Sequence, residues 1–362
     1  MINVPVRRLD SLTQIRAFAA LFVFVYHINH NTQWLPHKEL FSVGYVGVSL
    51  FFVLSGFVLT WSYEPSMKPK TYYIRRGARI YPLHLFFLFL ALLLPVISYS
   101  RNILSLFPNI LLIQSWIPDW GYVFSYNSVS WSLSCEVFFY ALTPFILKYL
   151  YSSTGKRNPL VSLLTVSLCI VFASTMLSVQ SNYVDVLTYA HPIARLPEFI
   201  LGVATAYIVR QLMENSGAGD ITRFKSLALI MGAGLVSLLI VYILSNLQLN
   251  QTMTSYICAP SFALLIAMCA FNDVKRSQGN KFSKKPIFHK ILVKAGEISF
   301  AFYLAHELVI VNLEWVASLS QWQLSGMVLA CLALILSALI AAMAHVLIEK
   351  PAHRAIVLHT GK

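Results

Sequence analysis

The sequence predicts an all-α, polytopic membrane helical bundle of about ten transmembrane helices, with one further re-entrant or interfacial segment near 103–117. Three observations predict it. Hydrophobic residues make up 57% of the 362-residue chain and charged residues only 11%, with a mean hydropathy of +0.68, too little charge to wet the surface of a soluble protein this long. Apolar runs of about 18 or more residues, each sufficient to span a bilayer, follow one another with short polar breaks. Lys and Arg are distributed very unevenly between alternate breaks.

In chain order, spans are expected near 12–29, 44–61, 80–99, 131–150, 160–179, 195–213, 226–247, 254–271, 297–316 and 323–348. The first run follows Arg7 and Arg8 but lacks a small-residue cleavage site, so it is expected to be retained as a helix. The stretch Ile103–Ile117 is short and carries Pro108, Asn109 and Gln114. If it does not cross, 23 of the 27 Lys and Arg residues fall on the Arg7 side, and only Lys38, Arg101 and Arg195 on the other; crossing would move 16 of them. The positive-inside rule selects the non-crossing arrangement, with both termini cytoplasmic, and a non-spanning segment at membrane depth must be buried against protein. The longest polar stretch, Asn272–Gly296, is too short for a core of its own, so 1–362 is expected to be a single membrane domain.

Cytoplasmic loops facing anionic lipid account for the net charge of +13, and nucleic acid is not an expected partner. The five cysteines, at 135, 169, 258, 269 and 331, lie in apolar runs without paired spacing, implying neither disulfides nor a metal. His30, His37 and His191 form no metal-ligand pattern either.

Ionisable side chains inside spans are costly and mark candidate function. Arg16 and His27 are eleven residues apart, on one helix face and about 16 Å apart along the axis. A histidine there can exchange a proton near neutral pH; hydrogen bonding inside the bundle is the plainer alternative. Arg75, Arg76 and Arg79 are expected at the cytoplasmic mouth of the third span, with Pro82 in its first helical turn. Clustered arginines suit phosphate, or simply anchor a helix at the membrane surface. Glu136 sits in an apolar helix with Tyr140 one turn on, and as a buried carboxylate needs a partner such as Arg16 or His27. Weaker candidates are Arg195 with Glu198, His306 with Glu307, and Glu349.

Seven segments carry a resemblance: Arg16 to His27 (RAFAALFVFVYH), Gly44 to Phe57 (GYVGVSLFFVLSGF), Arg75 to Pro82 (RRGARIYP), Trp131 to Tyr140 (WSLSCEVFFY), Arg195 to Gly202 (RLPEFILG), Ile298 to His306 (ISFAFYLAH) and Glu349 to Pro351 (EKP). In this order they resemble the acyltransferase-3 family of integral-membrane acyltransferases, of the polysaccharide O-acetyltransferase type. The resemblance implies transfer of acetyl or another acyl group from cytoplasmic acyl-CoA to a hydroxyl, commonly on a cell-envelope glycan, at a bacterial inner membrane. It places Arg16 and His27 in the active site and matches Arg76 and Arg79 to an Arg-x-x-Arg motif. Glu136 and Tyr140 match a Trp…Glu…Tyr segment headed here by Trp131. Two departures stand out. Thr13 occupies a position that is Asp in many members, the nearest Asp being Asp10, and no hydrolase-like domain follows Pro351. Transfer is therefore expected to finish in the membrane domain or with a partner.

Together these features imply that Arg76 and Arg79, with Arg75, hold CoA phosphates. His27, oriented by Glu136, acts as base or acyl carrier. The acceptor is expected on loops 30–43, 118–130 and 180–194, where Trp116, Trp120, Trp131 and Tyr122 could stack on sugars or serve as an interfacial belt. Membrane lipid, acyl-CoA and glycan are the expected partners, with acyl-CoA as donor substrate and no metal; a homo-oligomer is left open. The alternatives are a proton-coupled secondary transporter using Arg16, His27 and Glu136 as a relay, an inner-leaflet lipid acyltransferase, and a non-enzymatic scaffold.

Overall fold

The structure is a computed structural model, and it describes residues 9–32, 41–152, 158–180, 185–215, 223–247, 249–278, 286–320 and 324–358. Among these residues every regular element is helical. Eight helices are long and apolar enough to cross a membrane, and two shorter apolar ones, Val46–Trp61 and Gly232–Leu247, make up the expected ten. With the short helix Ile103–Leu111, and with the last span divided in two, the helices are labelled α1 (Asp10–Asn31), α2 (Val46–Trp61), α3 (Pro69–Leu93), α4 (Ile103–Leu111), α5 (Trp131–Ser152), α6 (Pro159–Gln180), α7 (Pro192–Asn215), α8 (Arg223–Leu247), α9 (Gln251–Gln278), α10 (Ile287–Ser320), α11 (Gly326–Ala344) and α12 (Lys350–Leu358).

Two expected boundaries are corrected. Helix α3 starts at Pro69 rather than near residue 80, so Pro69 is the first-turn proline and Pro82 lies inside the helix. The arginine cluster consequently stands on a helix wall. Helix α10 starts ten residues before the expected span. In both cases the added turns carry charged residues among the apolar ones, and a hydropathy reading stops short of them. The last span continues from α11 through a π-helical turn, His345–Glu349, into α12.

Glycine sets the closest crossings. A Cβ on Gly56 would lie 2.0 Å from the Phe199 carbonyl oxygen, and one on Gly202 1.9 Å from that of Val53. Helices α2 and α7 therefore meet backbone to backbone, as small residues allow in membranes. At Gly296 a Cβ would lie 1.8 Å from the Thr13 carbonyl oxygen, joining α10 to α1. Below that contact, the Ser11 backbone N–H and hydroxyl donate to Asp273 at 2.8 and 2.7 Å, and His289 meets Gln14 at 2.8 Å and Asp10 at 3.3 Å.

The segment 103–117 does not cross. Helix α4 has nine residues, about 13 Å of helix against the roughly 30 Å of a hydrocarbon core. It ends at Leu112 with a left-handed φ of 56° and is followed by a 3-10 turn, Gln114–Trp116. Its apolar side is exposed at Ile103, Leu104 and Phe107, while Asn109 and Gln114 are buried. The Asn109 amide donates to Ser105 O and Ser125 Oγ, and the Asn109 backbone carbonyl oxygen meets His84 Nε2 at 2.7 Å. Gln114 donates to Ser130 O and Oγ, and Ser115 to Trp131 O. These bonds satisfy an irregular backbone packed against protein, the condition for such a segment at membrane depth.

Candidate active site

Five of the sequence-predicted residues converge on one cavity. Arg16 from α1, Arg76 and Arg79 from α3, and Glu136 and Tyr140 from α5 line a pocket of about 70 Å³, which α2 and α10 complete. Each reaches it for a local reason. Arg76 and Arg79 are i, i+3 neighbours on one face, as are Glu136 and Tyr140 at i, i+4. Tyr140 donates to Glu136 Oε2 at 3.2 Å. The Glu136 carboxylate lies within electrostatic reach of Arg79, Arg16 and Arg76, so a buried charge is compensated by several partners. The Arg76 guanidinium lies over the rings of Tyr72 and Tyr140, 5.6 and 5.9 Å from their centroids, and its Nε is buried without a hydrogen-bond partner. Arg75, one residue and about 100° away on the helix, is exposed and does not line the cavity. Glu349 hydrogen-bonds His345 Nδ1 at 2.6 Å and lies within electrostatic reach of Arg16.

His27, towards the other end of α1, has different neighbours. Its Nδ1 is 3.7 Å from Glu307 Oε2, and its ring centroid is 4.9 Å from that of His306, both on α10. Its side chain is 16% exposed, whereas His306 is fully buried with Nε2 unpartnered. Ser128, in the loop after α4, donates to Glu307 Oε2, and Asn127 donates to Leu304 O at 2.9 Å. The stretch that follows the non-crossing segment thus braces the histidine's carboxylate. This corrects the expectation that Glu136 orients His27: Glu136 belongs to the arginine cavity, and Glu307 stands beside the histidine.

Between the two clusters stands Tyr303. Its hydroxyl donates to Val129 O at 3.0 Å and lies 2.9 Å from Ser132 Oγ. Both Tyr303 and Ser132 line the arginine cavity, and the Tyr303 ring centroid is 5.7 Å from that of His306.

Arg195 and Glu198 pair as expected, at 3.1 Å and fully buried. The Arg195 guanidinium lies 5.2 to 5.9 Å from the ring centroids of Tyr189, Phe52 and Trp131, and donates to Ser49 Oγ. Trp131 is therefore packed over a cation rather than free to stack on a sugar, which corrects that expectation. Trp116 packs edge-on against Phe138 and His191, and Trp120 stacks on Phe124. His37, and the parts of loops 30–43 and 180–194 at 33–40 and 181–184, lie outside the described residues.

The sequence reading missed Tyr303, Ser128 and Ser132. The signal available for Tyr303 was its place three residues before His306 in an apolar run. The serines carried none, since their partners are more than 170 residues away.

Residues 9–346 match the profile of a family described as an acyltransferase domain. The chain belongs to the acyltransferase-3 family. It is similar to the acyltransferase MdmB of Streptomyces mycarofaciens, 32% identical over 325 residues, covering 84% of this chain and 79% of that one. A candidate O-acetyltransferase of Staphylococcus aureus (strain COL) is 25% identical over 322 residues, again 84% of this chain, which spans about half (51%) of that relative. The O-acetyltransferase OatA of Staphylococcus aureus (strain NCTC 8325) is 29% identical over 179 residues, 45% of this chain and 28% of that one. No solved structure matches. The protein is thus an integral-membrane acyltransferase, and membership gives the two clusters a reaction to serve.

Proposed function

We propose that the protein moves an acyl group, most simply acetyl, from acyl-CoA to a hydroxyl of a cell-envelope or exported polysaccharide. The observation that carries the proposal is the division of labour along α1. Arg16 opens into a cavity with two further arginines, and His27 stands beside a carboxylate one bundle half away. Arg76 and Arg79 offer forked, charge-assisted donors to the phosphates of CoA. Arg16, within electrostatic reach of Glu136, puts a third cation on the thioester's path, which passes the Tyr303–Ser132 hydrogen bond to reach His27.

His27 then works as a general base. Glu307 accepts from Nδ1–H, fixing the tautomer that leaves Nε2 free to take the acceptor's proton. The 3.7 Å separation is longer than a hydrogen bond, of the kind that tightens when substrate fills a site. The acceptor oxygen bonds to the acyl carbon, the carbon–sulfur bond breaks, and the CoA thiolate takes the proton back from His27. The reading places this site in the inner membrane of a bacterium, and the Lys and Arg bias supports a cytoplasmic side for the arginine end and both termini.

A lipid acceptor is less favoured. An apolar crevice of about 630 Å³ opens between α1, α2, α8 and α9, where it is lined by Ser11, Ile15, Phe18, Phe22 and Val25 of α1. That stripe lies some 100–180° around the helix from Arg16 and His27, so a lipid held there faces away from the base.

Membranes carrying the protein, acyl-labelled acetyl-CoA and the host's envelope polysaccharide provide the test. Label should move to polysaccharide with wild type and not with His27→Ala or Arg76→Ala. Transfer by His27→Ala at the wild-type rate would refute the assignment of the base.

A further inference from the structure

At the histidine end of the bundle, a cleft of about 340 Å³ lies between the loop after α3 and the last turns of α10. The loop is a built wall. Asn312 binds it reciprocally, accepting from the Val96 N–H at 3.3 Å and donating to Val96 O at 2.9 Å. Arg101 ties the end of α3 to the same loop, donating to Ala91 O, Leu94 O and Pro95 O.

The opposite wall is the face of α10 that carries Glu307. Residues 307, 311, 314 and 318 follow one another at i, i+4, i+7 and i+11, one stripe of a helix, and Val311, Glu314 and Ser318 all line the cleft with Trp315. Glu314 lies two turns beyond Glu307, about 10 Å along the axis. It makes no hydrogen bond or ion pair among the described residues. Trp315 is 38% exposed. Aromatic residues are common at a membrane rim. What sets this one apart is a shared cleft with an uncommitted carboxylate, Ser98 and Ser318, on the stripe that leads to the base.

We infer that this cleft is an acceptor subsite for a saccharide unit remote from the one acylated, with Trp315 stacking on a sugar face and Glu314 and the serines taking its hydroxyls. The inference rests on the glycan reading above. Its content is distance: a sugar held at Glu314 is too far from His27 to be the one acylated, so the cleft rewards acceptor length. Trp and carboxylate together fit a neutral, hydroxyl-rich pyranose.

The test compares the monosaccharide with oligosaccharides of graded length cut from the host's envelope polysaccharide. In nanodiscs, Trp315→Ala and Glu314→Gln should raise KM for the longer acceptors about 3- to 10-fold, leaving kcat, donor KM and the monosaccharide rate unchanged. Trp315→Tyr should restore most of the affinity. An unchanged KM, or an equal loss with the monosaccharide, overturns the subsite. Should wild type label no saccharide at all, the glycan reading fails, and 5-fluorotryptophan NMR decides the cleft. A Trp315 resonance, assigned by Trp315→Phe, that shifts with the oligosaccharide keeps the subsite; one that stays fixed overturns it.

Discussion

A histidine beside a carboxylate is a base only if the carboxylate holds the right nitrogen, so the sharpest tests are single atoms. Glu307→Gln keeps the shape and still accepts through its amide oxygen, but removes the charge that stabilises imidazolium. It should lower kcat about 10²- to 10³-fold with both KM values near wild type, as measured by label transfer under saturating donor. A drop confined to donor KM would instead put Glu307 on the CoA path. At the other cluster Arg76→Lys should raise donor KM, because an ammonium cannot form the forked pair, while exposed Arg75→Ala should leave it within about twofold; equal effects would deny that the two differ. Arg16 and Glu136 were legible in the sequence because each is an isolated charge in an apolar run, which the bilayer makes expensive, and Arg76 and Arg79 because they belong to an arginine cluster. The partner of His27 was not. Glu307 lies 280 positions away, and no local spacing encodes which of two buried carboxylates a distant helix will meet. Arg75 shows the opposite limit, since a motif lists neighbours while a helix sends them in different directions.

Elements meet where glycine lets them. At Gly202 even one methyl group would overlap the Val53 carbonyl oxygen, so Gly202→Ala should force α2 and α7 apart and cost about 1–3 kcal/mol, read as a lower melting temperature in detergent. Gly232 on α8 has nothing within 4 Å of a Cβ, and Gly232→Ala should be neutral or stabilising by up to about 1 kcal/mol. If both behave alike, the α2–α7 crossing is looser than backbone contact. The same contrast explains what a hydropathy profile can deliver. It finds α1, α5, α6 and α7 almost to their ends because their apolar runs fill them. It places the starts of α3 and α10 about ten residues late because their first turns carry charged residues that break the apolar run. The non-crossing stretch was recoverable only through charge: its nine-residue helix and buried Asn109 are invisible to composition, yet the Lys and Arg imbalance forbids it to cross. Its polar anchors then matter. Asn109→Leu removes the amide's bonds to Ser105 O and Ser125 Oγ in a buried site and should destabilise the protein by about 1–3 kcal/mol, measured by the same melting assay.

For the molecule as a whole, the arrangement is a path with two ends, and its meaning depends on which end meets the cytosol. Acyl-CoA is made and kept inside cells, so the arginine cavity must open there if Arg76 and Arg79 receive it. Lys70, on the first turn of α3, is exposed at the arginine end, and Tyr99, just past the other end of α3, is 57% exposed at the histidine end. In a background whose exposed Cys169 and Cys331 are replaced by serine, an impermeant maleimide should label Tyr99→Cys in intact cells and Lys70→Cys only after permeabilisation. Cys135, Cys258 and Cys269 are buried and should stay silent. The reverse pattern would put the phosphate-binding end outside, where no CoA waits, and acyl-CoA could not be the donor even if every side-chain contact were correct. The expected pattern would leave the histidine, its carboxylate and the Trp315 cleft facing the compartment where envelope glycans are assembled. The acyl thioester would then enter the bundle from the cytosol, along a route narrow enough for Tyr303 and Ser132 to close.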